Sequence, residues 1–156
     1  MSDLLRFEDL AVGQTFDLGE HTVTADEILD FAAQWDPLPF HLDHEAAGET
    51  VHGELIASGY HTLCLANRHV VRNFRQRAAA VVGIGIDELR WHDPLRPGDT
   101  VAFELEILEK RPSQSWPGVG IVRERTTGRV DGDPVITYEA PGFVGRRDGP
   151  TGKPEA

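Results

Sequence analysis

The chain has 156 residues, of which 40% are hydrophobic and 26% are charged, and its formal net charge is −11. This length and composition predict one globular domain. The negative charge disfavours nucleic acid and anionic membranes as partners, because both require a basic surface. The single cysteine, Cys64, leaves no internal disulfide and no cysteine-rich zinc site.

The sequence predicts neither a membrane span nor a secretion signal. No run of about 18 apolar residues occurs, and the acidic start, MSDLLRFEDL, lacks the basic and apolar regions of a signal peptide. We therefore expect a cytoplasmic protein. The segment from Arg68 to Arg77 is a basic exception, which fits either a solvated helix end or a contact to a phosphate group.

The first half of the chain predicts two helices. A first strand ends at Val23, and residues 24–27 form a capping box that opens a short helix. Residues 41–53 are polar and predict a loop with one helical turn near 43–47. The buried stripe of this first helix is predicted to consist of Ile28, Phe31, Ala32 and Trp35.

The second predicted helix runs from Ser58 to about Phe74. Ser58 is a favourable N-cap, and apolar residues recur behind it at steps of three and four. These apolar residues fall on more than one side of the helix. We therefore expect other structure to surround it.

The second half of the chain predicts antiparallel strands over 81–86, 88–91, 101–107, 119–130 and 135–144. Residues 94–99 predict a turn, and Asp131-Gly132 predicts a tight hairpin. Helices followed by such strands indicate an α+β fold in which a sheet curls around one helix. We assign residues 1–145 to this domain and expect 146–156 to be a flexible tail, because they are rich in Gly, Pro and charge.

The stretch from Trp35 to Thr62 contains the residues with the clearest chemical potential. Asp36 and His41 lie on a turn that contains two prolines, and Ser58-Gly59 follow at a helix start. A carboxylate beside an imidazole can orient and deprotonate a water molecule. The free N–H groups at a helix start can stabilise an oxyanion. Taken singly, each of these residues also fits a structural role.

The histidines of the same stretch do not predict a metal site. His41, Asp43, His44 and His52 fit no strong template for metal ligands, and no HExxH pattern occurs. We expect no metal.

Four separated motifs occur in the order found in a known family: Asp36-x4-His41, IASGYHT (56–62), DELRW (87–91) and LRPGDTV (95–101). From about Ala11 to Val144 the chain resembles the MaoC-like family of hot-dog fold proteins, the group that contains the (R)-specific enoyl-CoA hydratases. The resemblance implies a single hot-dog domain, an antiparallel sheet wrapped around a central helix, that works as a homodimer or higher homo-oligomer.

The resemblance also implies a reaction, the reversible addition of water to a trans-2-enoyl thioester of coenzyme A or a related carrier, without a cofactor. Asp36 and His41 match the family's catalytic pair, which would hold a water molecule between them. Gly59 matches the glycine whose N–H binds the thioester oxygen. We expect the substrate to contact Trp35, Phe40, Ser58 and Tyr60.

Two positions depart from the family's pattern. Hydratases usually carry Asn where this chain has Leu38, and they often have His where Ser58 stands. Two alternatives therefore remain open. One is an acyl-CoA thioesterase on the same fold, in which a carboxylate activates water against the carbonyl carbon. The other is a non-catalytic protein that binds acyl thioesters.

Overall fold

The structure is a computed structural model that describes residues 4–149, and its main element is a six-stranded antiparallel sheet. The spatial order is β1-β4-β5-β6-β2, and β3 also pairs with β6. The predicted α+β class is therefore confirmed. The strands are β1 (Thr15–Thr22), β2 (Ala80–Gly83), β3 (Asp87–Trp91), β4 (Thr100–Pro112), β5 (Val119–Val130) and β6 (Asp133–Gly145).

The helices are α1 (Ala25–Trp35), α2 (Pro39–Leu42), α3 (His44–Gly48) and α4 (Gly59–Asn73), with short 3-10 turns at Phe7–Asp9 and Arg75–Arg77. The capping box predicted for α1 is confirmed, since Thr24 and Glu27 each accept a hydrogen bond from the other's backbone N–H. The helical turn predicted near 43–47 is confirmed as α3, whereas the helix α2 that precedes it was not expected. Pro39 starts α2 with its fixed φ, and Asp43 caps α3 by accepting from the Glu45 N–H.

Helix α4 packs on the sheet through one face. Leu65, Ala66 and Val70 of this face are buried, and they lie in the same core as the inward-facing row of β4. Burial of each large side chain contributes about 1.5 to 3 kcal/mol, so this layer supplies much of the stability. The inward-facing row of β4 is entirely apolar and consists of Val101, Phe103, Leu105 and Ile107.

The prediction that other structure surrounds α4 is wrong for the isolated chain. Tyr60, Cys64 and Asn67 are exposed, because the sheet covers α4 from one side only. Trp35, which we expected in the buried stripe of α1, is 71% exposed. It lies in the last turn of α1, while Ile28 and Ala32 of that stripe are fully buried.

The predicted hairpin between β5 and β6 is confirmed. Asp131 and Gly132 both have positive φ, 51° and 85°, as a two-residue hairpin turn requires. The strand predicted over 81–86 is shorter than expected, because β2 ends at Gly83 and residues 84–86 connect it to β3 along the same edge.

Of the predicted tail, residues 150–156 lie outside the described residues. Arg146 and Arg147 form ion pairs with Glu8 and Asp9 near the start of the chain. None of the helices within residues 4–149 combines the length and hydrophobicity needed to cross a membrane.

Candidate active site

The turn after α1 places Asp36 and His41 close together. Asp36 is the C-cap of α1, and its N–H donates to the Ala32 carbonyl at 3.0 Å. Leu38 then bridges the two residues through its backbone, since its N–H donates to Asp36 O at 2.8 Å and its carbonyl accepts from the His41 N–H at 2.9 Å. Leu38 itself is half-exposed, so at this position the chain uses the backbone of the residue and not its side chain.

Asp36, His41 and Ser58 form one polar cluster. The His41 Nε2 atom lies 3.5 Å from Asp36 Oδ2, and Ser58 Oγ donates to the same oxygen at 2.7 Å. His41 and Ser58 are buried, whereas Asp36 is partly exposed. The cluster therefore joins a carboxylate, an imidazole and a hydroxyl at the edge of the core.

The tautomer of His41 follows from its second hydrogen bond. His41 Nδ1 lies 2.8 Å from the Ile56 carbonyl oxygen, which can only accept, so Nδ1 carries a proton. In the neutral ring Nε2 is then the unprotonated nitrogen, and this nitrogen faces Asp36. His41 is thus oriented as a base at Nε2, or as a paired imidazolium when protonated.

Gly59 begins α4 directly after this cluster. Ser58 caps the helix by accepting from the Tyr60 N–H at 3.2 Å. The Gly59 N–H forms no hydrogen bond within residues 4–149, as expected for the first residue of a helix. The Trp91 indole covers Gly59, because its Nε1–H donates to Gly59 O at 2.8 Å and a Cβ at Gly59 would lie 2.6 Å from the ring.

His41 and Gly59 line a common cavity of about 220 Å³. Thr62 and Trp91 contribute to the same walls, together with His52. Asp36 does not line this cavity and reaches it only through His41 and Ser58. Phe40, one of the predicted substrate contacts, packs edge-on against His41 with ring centroids 4.5 Å apart.

Trp35 and Tyr60, the other predicted substrate contacts, do not reach that cavity. Together with Phe31 and Cys64 they line a separate, mostly apolar depression of about 520 Å³ on the outer side of α4. Tyr60 touches the covering tryptophan from outside, with its ring centroid 5.6 Å from that of Trp91. The structure thus brings Asp36, His41, Ser58, Gly59 and Phe40 together and places Trp35 and Tyr60 elsewhere.

His61 is a buried histidine near the cluster that does not belong to it. Its ring stacks on Phe31 with centroids 4.7 Å apart, and its Nδ1 has no hydrogen-bond partner among the described residues. Burial lowers the pKa of His61, and the nearby Glu27 only partly opposes this effect. Across residues 4–149 no group of three or more potential metal ligands is close enough to hold an ion.

The sequence did not reveal two components of the site. Trp91 lies in the DELRW motif, yet a single tryptophan at a strand end gives no signal that it covers a glycine 32 residues earlier. The Ile56 carbonyl is a backbone group, and sequence reasoning had no means to select it. In the basic segment, Arg75 pairs with the buried Glu124, while Arg68, Arg72 and Arg77 are exposed.

Comparisons with known proteins connect this site to a family. Residues 8–128 match the family described as MaoC like domain. The chain is 31% identical to a 3-hydroxybutyryl-CoA dehydratase from Methylorubrum extorquens over 112 residues, which are 71% of this chain and 69% of that protein.

Two solved structures are also similar. The MaoC-like dehydratase from Rhodospirillum rubrum is 41% identical with a TM-score of 0.86, and the match covers 92% of this chain and 98% of that one. The (R)-hydratase from A. caviae involved in PHA biosynthesis is 26% identical with a TM-score of 0.70, covering 89% and 98%. These likenesses, with the sheet packed on α4, confirm the hot-dog fold.

Proposed function

The chain belongs to the MaoC-like domain family, and on that premise we propose that it adds water reversibly to a trans-2-enoyl thioester of coenzyme A. The product would be a 3-hydroxyacyl thioester. The observation that carries the proposal is the contact of Asp36, His41 and Ser58 beside the free N–H of Gly59. The similar dehydratase from Methylorubrum extorquens, whose name specifies a 3-hydroxybutyryl-CoA substrate, supports the thioester class.

In this mechanism the first residue of α4 binds the thioester oxygen. The Gly59 N–H donates to the carbonyl, and the helix dipole adds positive potential at the same point. Electron density is drawn from the Cα=Cβ bond, and the enolate-like state is stabilised. Removal of one such donor typically lowers the rate by about 100- to 1000-fold.

His41 and Asp36 would handle the protons. The 3.5 Å between His41 Nε2 and Asp36 Oδ2 is too short for a water molecule in line between them, which needs about 5.5 Å. We therefore place the water on the cavity side of His41, with Asp36 behind it and reached through His41 and Ser58. Water loses a proton as its oxygen attacks Cβ, and the pair returns a proton to Cα, so that no net proton is gained or lost.

Ser58 would position the carboxylate. Its hydroxyl donates to Asp36 Oδ2 while accepting from the Tyr60 N–H, so the same side chain caps α4 and orients Asp36. Within the described part of the chain, the Asp36 carboxylate has two polar side-chain partners. Ser58 donates a hydrogen bond to it, and His41 lies 3.5 Å away. This arrangement keeps the carboxylate oriented although Leu38 cannot hydrogen-bond through its side chain.

Two substitutions test the proposal directly. Asp36→Asn and His41→Ala are each expected to lower kcat for hydration of a short or medium enoyl-CoA by about 100- to 10,000-fold, because each removes half of the acid/base pair. The measurement is the loss of absorbance of the conjugated thioester. Circular dichroism should show that both variants are folded.

Matched controls separate this effect from general damage. Asp30→Asn lies on the exposed side of α1, and His44→Ala lies at the exposed start of α3. Both controls should retain wild-type rates. Wild-type protein that hydrates no enoyl-CoA of any chain length would contradict the proposal, and release of free thiol from acyl-CoA would favour a thioesterase instead.

We also propose that the working form is a homodimer. The edge strands β2 and β3 pair with β6 on one side only, so their outer backbone groups are available to another strand. Val82, Ile84, Ile86 and Trp91 are all about half-exposed along this edge. Burial of such a row against a second copy would remove an apolar surface that is unusual on a monomer.

A further inference from the structure

A second cavity, of about 450 Å³, lies along α4 beyond the catalytic cluster. Its walls are mostly apolar and include Leu63, Val70 and Ile86, with Asn67 as a polar exception. Its floor is polar, because it is lined by Arg75, Glu124 and Tyr138. None of these three residues takes part in the chemistry proposed for Asp36 and His41.

The polar floor contrasts with the apolar inward-facing residues of the neighbouring strand β4. The inward-facing row of β4 is entirely apolar, but the equivalent row of β5 contains Glu124 and Thr126. Glu124 is 2% exposed and pairs with Arg75 through both carboxylate oxygens. A buried ion pair is seldom more stable than an apolar pair of similar volume, so stability alone does not account for it.

The floor offers hydrogen-bond donors to the cavity. The pair with Glu124 leaves further N–H groups of the Arg75 guanidinium without a partner among the described residues. Burial raises the pKa of Tyr138 to about 12, so its hydroxyl stays protonated at neutral pH. Glu124 already neutralises the charge of Arg75, and a second carboxylate here would be repelled by Glu124.

The cavity lies farther along α4 than the cavity beside Gly59, with which it shares no lining residue. Helix α4 rises about 6 Å from Gly59 to Leu63 and about 16 Å from Gly59 to Val70. Strand β3 runs beside α4. Trp91, at one end of β3, covers Gly59, and Ile86, just before the other end of β3, lines the cavity. A chain that leaves the thioester along α4 would run toward the cavity that Arg75 and Tyr138 line.

We propose that this cavity receives the distal end of the acyl chain and that Arg75 and Tyr138 select chains carrying an uncharged oxygen there, a hydroxyl or a carbonyl. The inference rests on the proposed function and specifies its substrate class. A plain alkyl end would displace the solvent from these donors and offer them no hydrogen-bond partner in return. A site built for hydrogen bonding rejects an analogue that lacks the polar group, because its buried donors stay unpaired.

The test compares pairs of trans-2-enoyl-CoA substrates of about ten to fourteen carbons, long enough to span the distance along α4, that differ only at the last carbon, hydroxymethyl against methyl. For wild-type protein we expect kcat/KM to favour the hydroxylated member by about tenfold or more at the length that reaches the floor. Tyr138→Phe should reduce this preference several-fold. Equal rates, or a preference for the methyl end, would overturn the inference.

Removal of Arg75 alone would leave Glu124 buried without a partner, so the pair is replaced together. Arg75→Met combined with Glu124→Leu keeps the volume roughly constant and should fold, because apolar replacement of a buried pair is usually tolerated. This double variant should prefer the methyl-ended substrate. Arg72→Met, which removes an exposed arginine three residues earlier at the end of α4, is the matched control and should leave the preference unchanged.

The outcomes also separate this inference from the proposed function. If both members of each pair are hydrated equally well, the enzyme proposal stands and only the selectivity falls. If neither is hydrated by folded protein, the proposed function itself fails. A substrate ending in a carboxylate that outcompetes the hydroxylated one would overturn the choice of an uncharged group.

Discussion

His61 shows at the scale of one residue how burial creates a dependence of stability on pH. His61 is 7% exposed, its ring stacks on Phe31, and its Nδ1 has no partner within residues 4–149. Burial lowers the pKa of His61 in the folded chain, whereas the unfolded chain keeps a value of about 6.5. The unfolded state therefore binds the proton first as the pH falls, and it gains stability over the folded state.

We predict that the free energy of unfolding decreases as the pH falls through about 6.5, with a contribution from His61 of at most about 1.4 kcal/mol per pH unit. His61→Phe should remove this contribution, since it keeps an aromatic ring beside Phe31 and cannot titrate. Urea unfolding at pH 8 and pH 5.5 measures the difference. His44→Gln, an exposed control, should behave like wild type, and an identical pH response in His61→Phe would refute the assignment.

Residues of the candidate site could be predicted from the sequence where they belong to a short motif. Asp36, His41 and Gly59 stand in short motifs, and the structure places them within one region, although their catalytic roles stay predictions. The hydrogen bond from Ser58 to Asp36 links residues 22 positions apart, so only the folded chain reveals it. Trp35 was misplaced because helical spacing assigns residues to a face but cannot tell where the covering layer ends.

At the scale of the element, the first turn of the chain is anchored on β5 by a close contact. The Phe7 ring lies directly on Gly120, and a Cβ at that position would overlap the ring. Lys110 strengthens the anchor, since its Nζ donates to the carbonyls of Phe7 and Leu10 and lies 4.3 Å from the centre of the Phe7 ring. The glycine is therefore needed for packing and not for a turn.

Gly120→Ala is expected to lower the free energy of unfolding by about 1 to 3 kcal/mol, because the methyl group must displace Phe7. Denaturant unfolding gives the value. In the background of Phe7→Ala the same substitution should cost little, and this double-mutant cycle isolates the contact. Gly142→Ala on β6, where a Cβ would lie 3.5 Å from its nearest neighbour, is the control, and an equal loss there would argue against the specific clash.

Most long elements were predictable because their signals are local and repeated. The N-cap and apolar spacing defined α4, alternation defined the core of β4, and a dipeptide with two positive φ angles defined the hairpin. The helix α2 was not predicted, since it is shorter than the window in which periodicity is visible, and α3 was predicted only as a single helical turn. The polar inward row of β5 was also unforeseen, because a glutamate between apolar residues normally indicates the solvent side.

At the scale of the whole molecule, the edge formed by β2 and β3 is the surface through which we propose that two copies associate. We predict that wild-type protein elutes as a dimer in size-exclusion chromatography with light scattering. Ile84→Lys should shift it toward the monomer, because a charge in the middle of this half-exposed edge opposes strand pairing. Val12→Lys, at an exposed position away from β2 and β3, should leave the dimer intact, and a monomeric wild type at micromolar concentration would contradict the prediction.

Trp91, whose indole covers Gly59, can serve as an intrinsic fluorescence probe of the site. Trp91 is one of three tryptophans, and its N–H is bonded to the backbone at the start of α4. Replacement of Trp35 and Trp116 by phenylalanine would leave Trp91 as the sole source of indole fluorescence. Arrival of a thioester at the adjacent amide would then alter the emission colour and intensity, so occupancy could be followed in real time with ligands that never react.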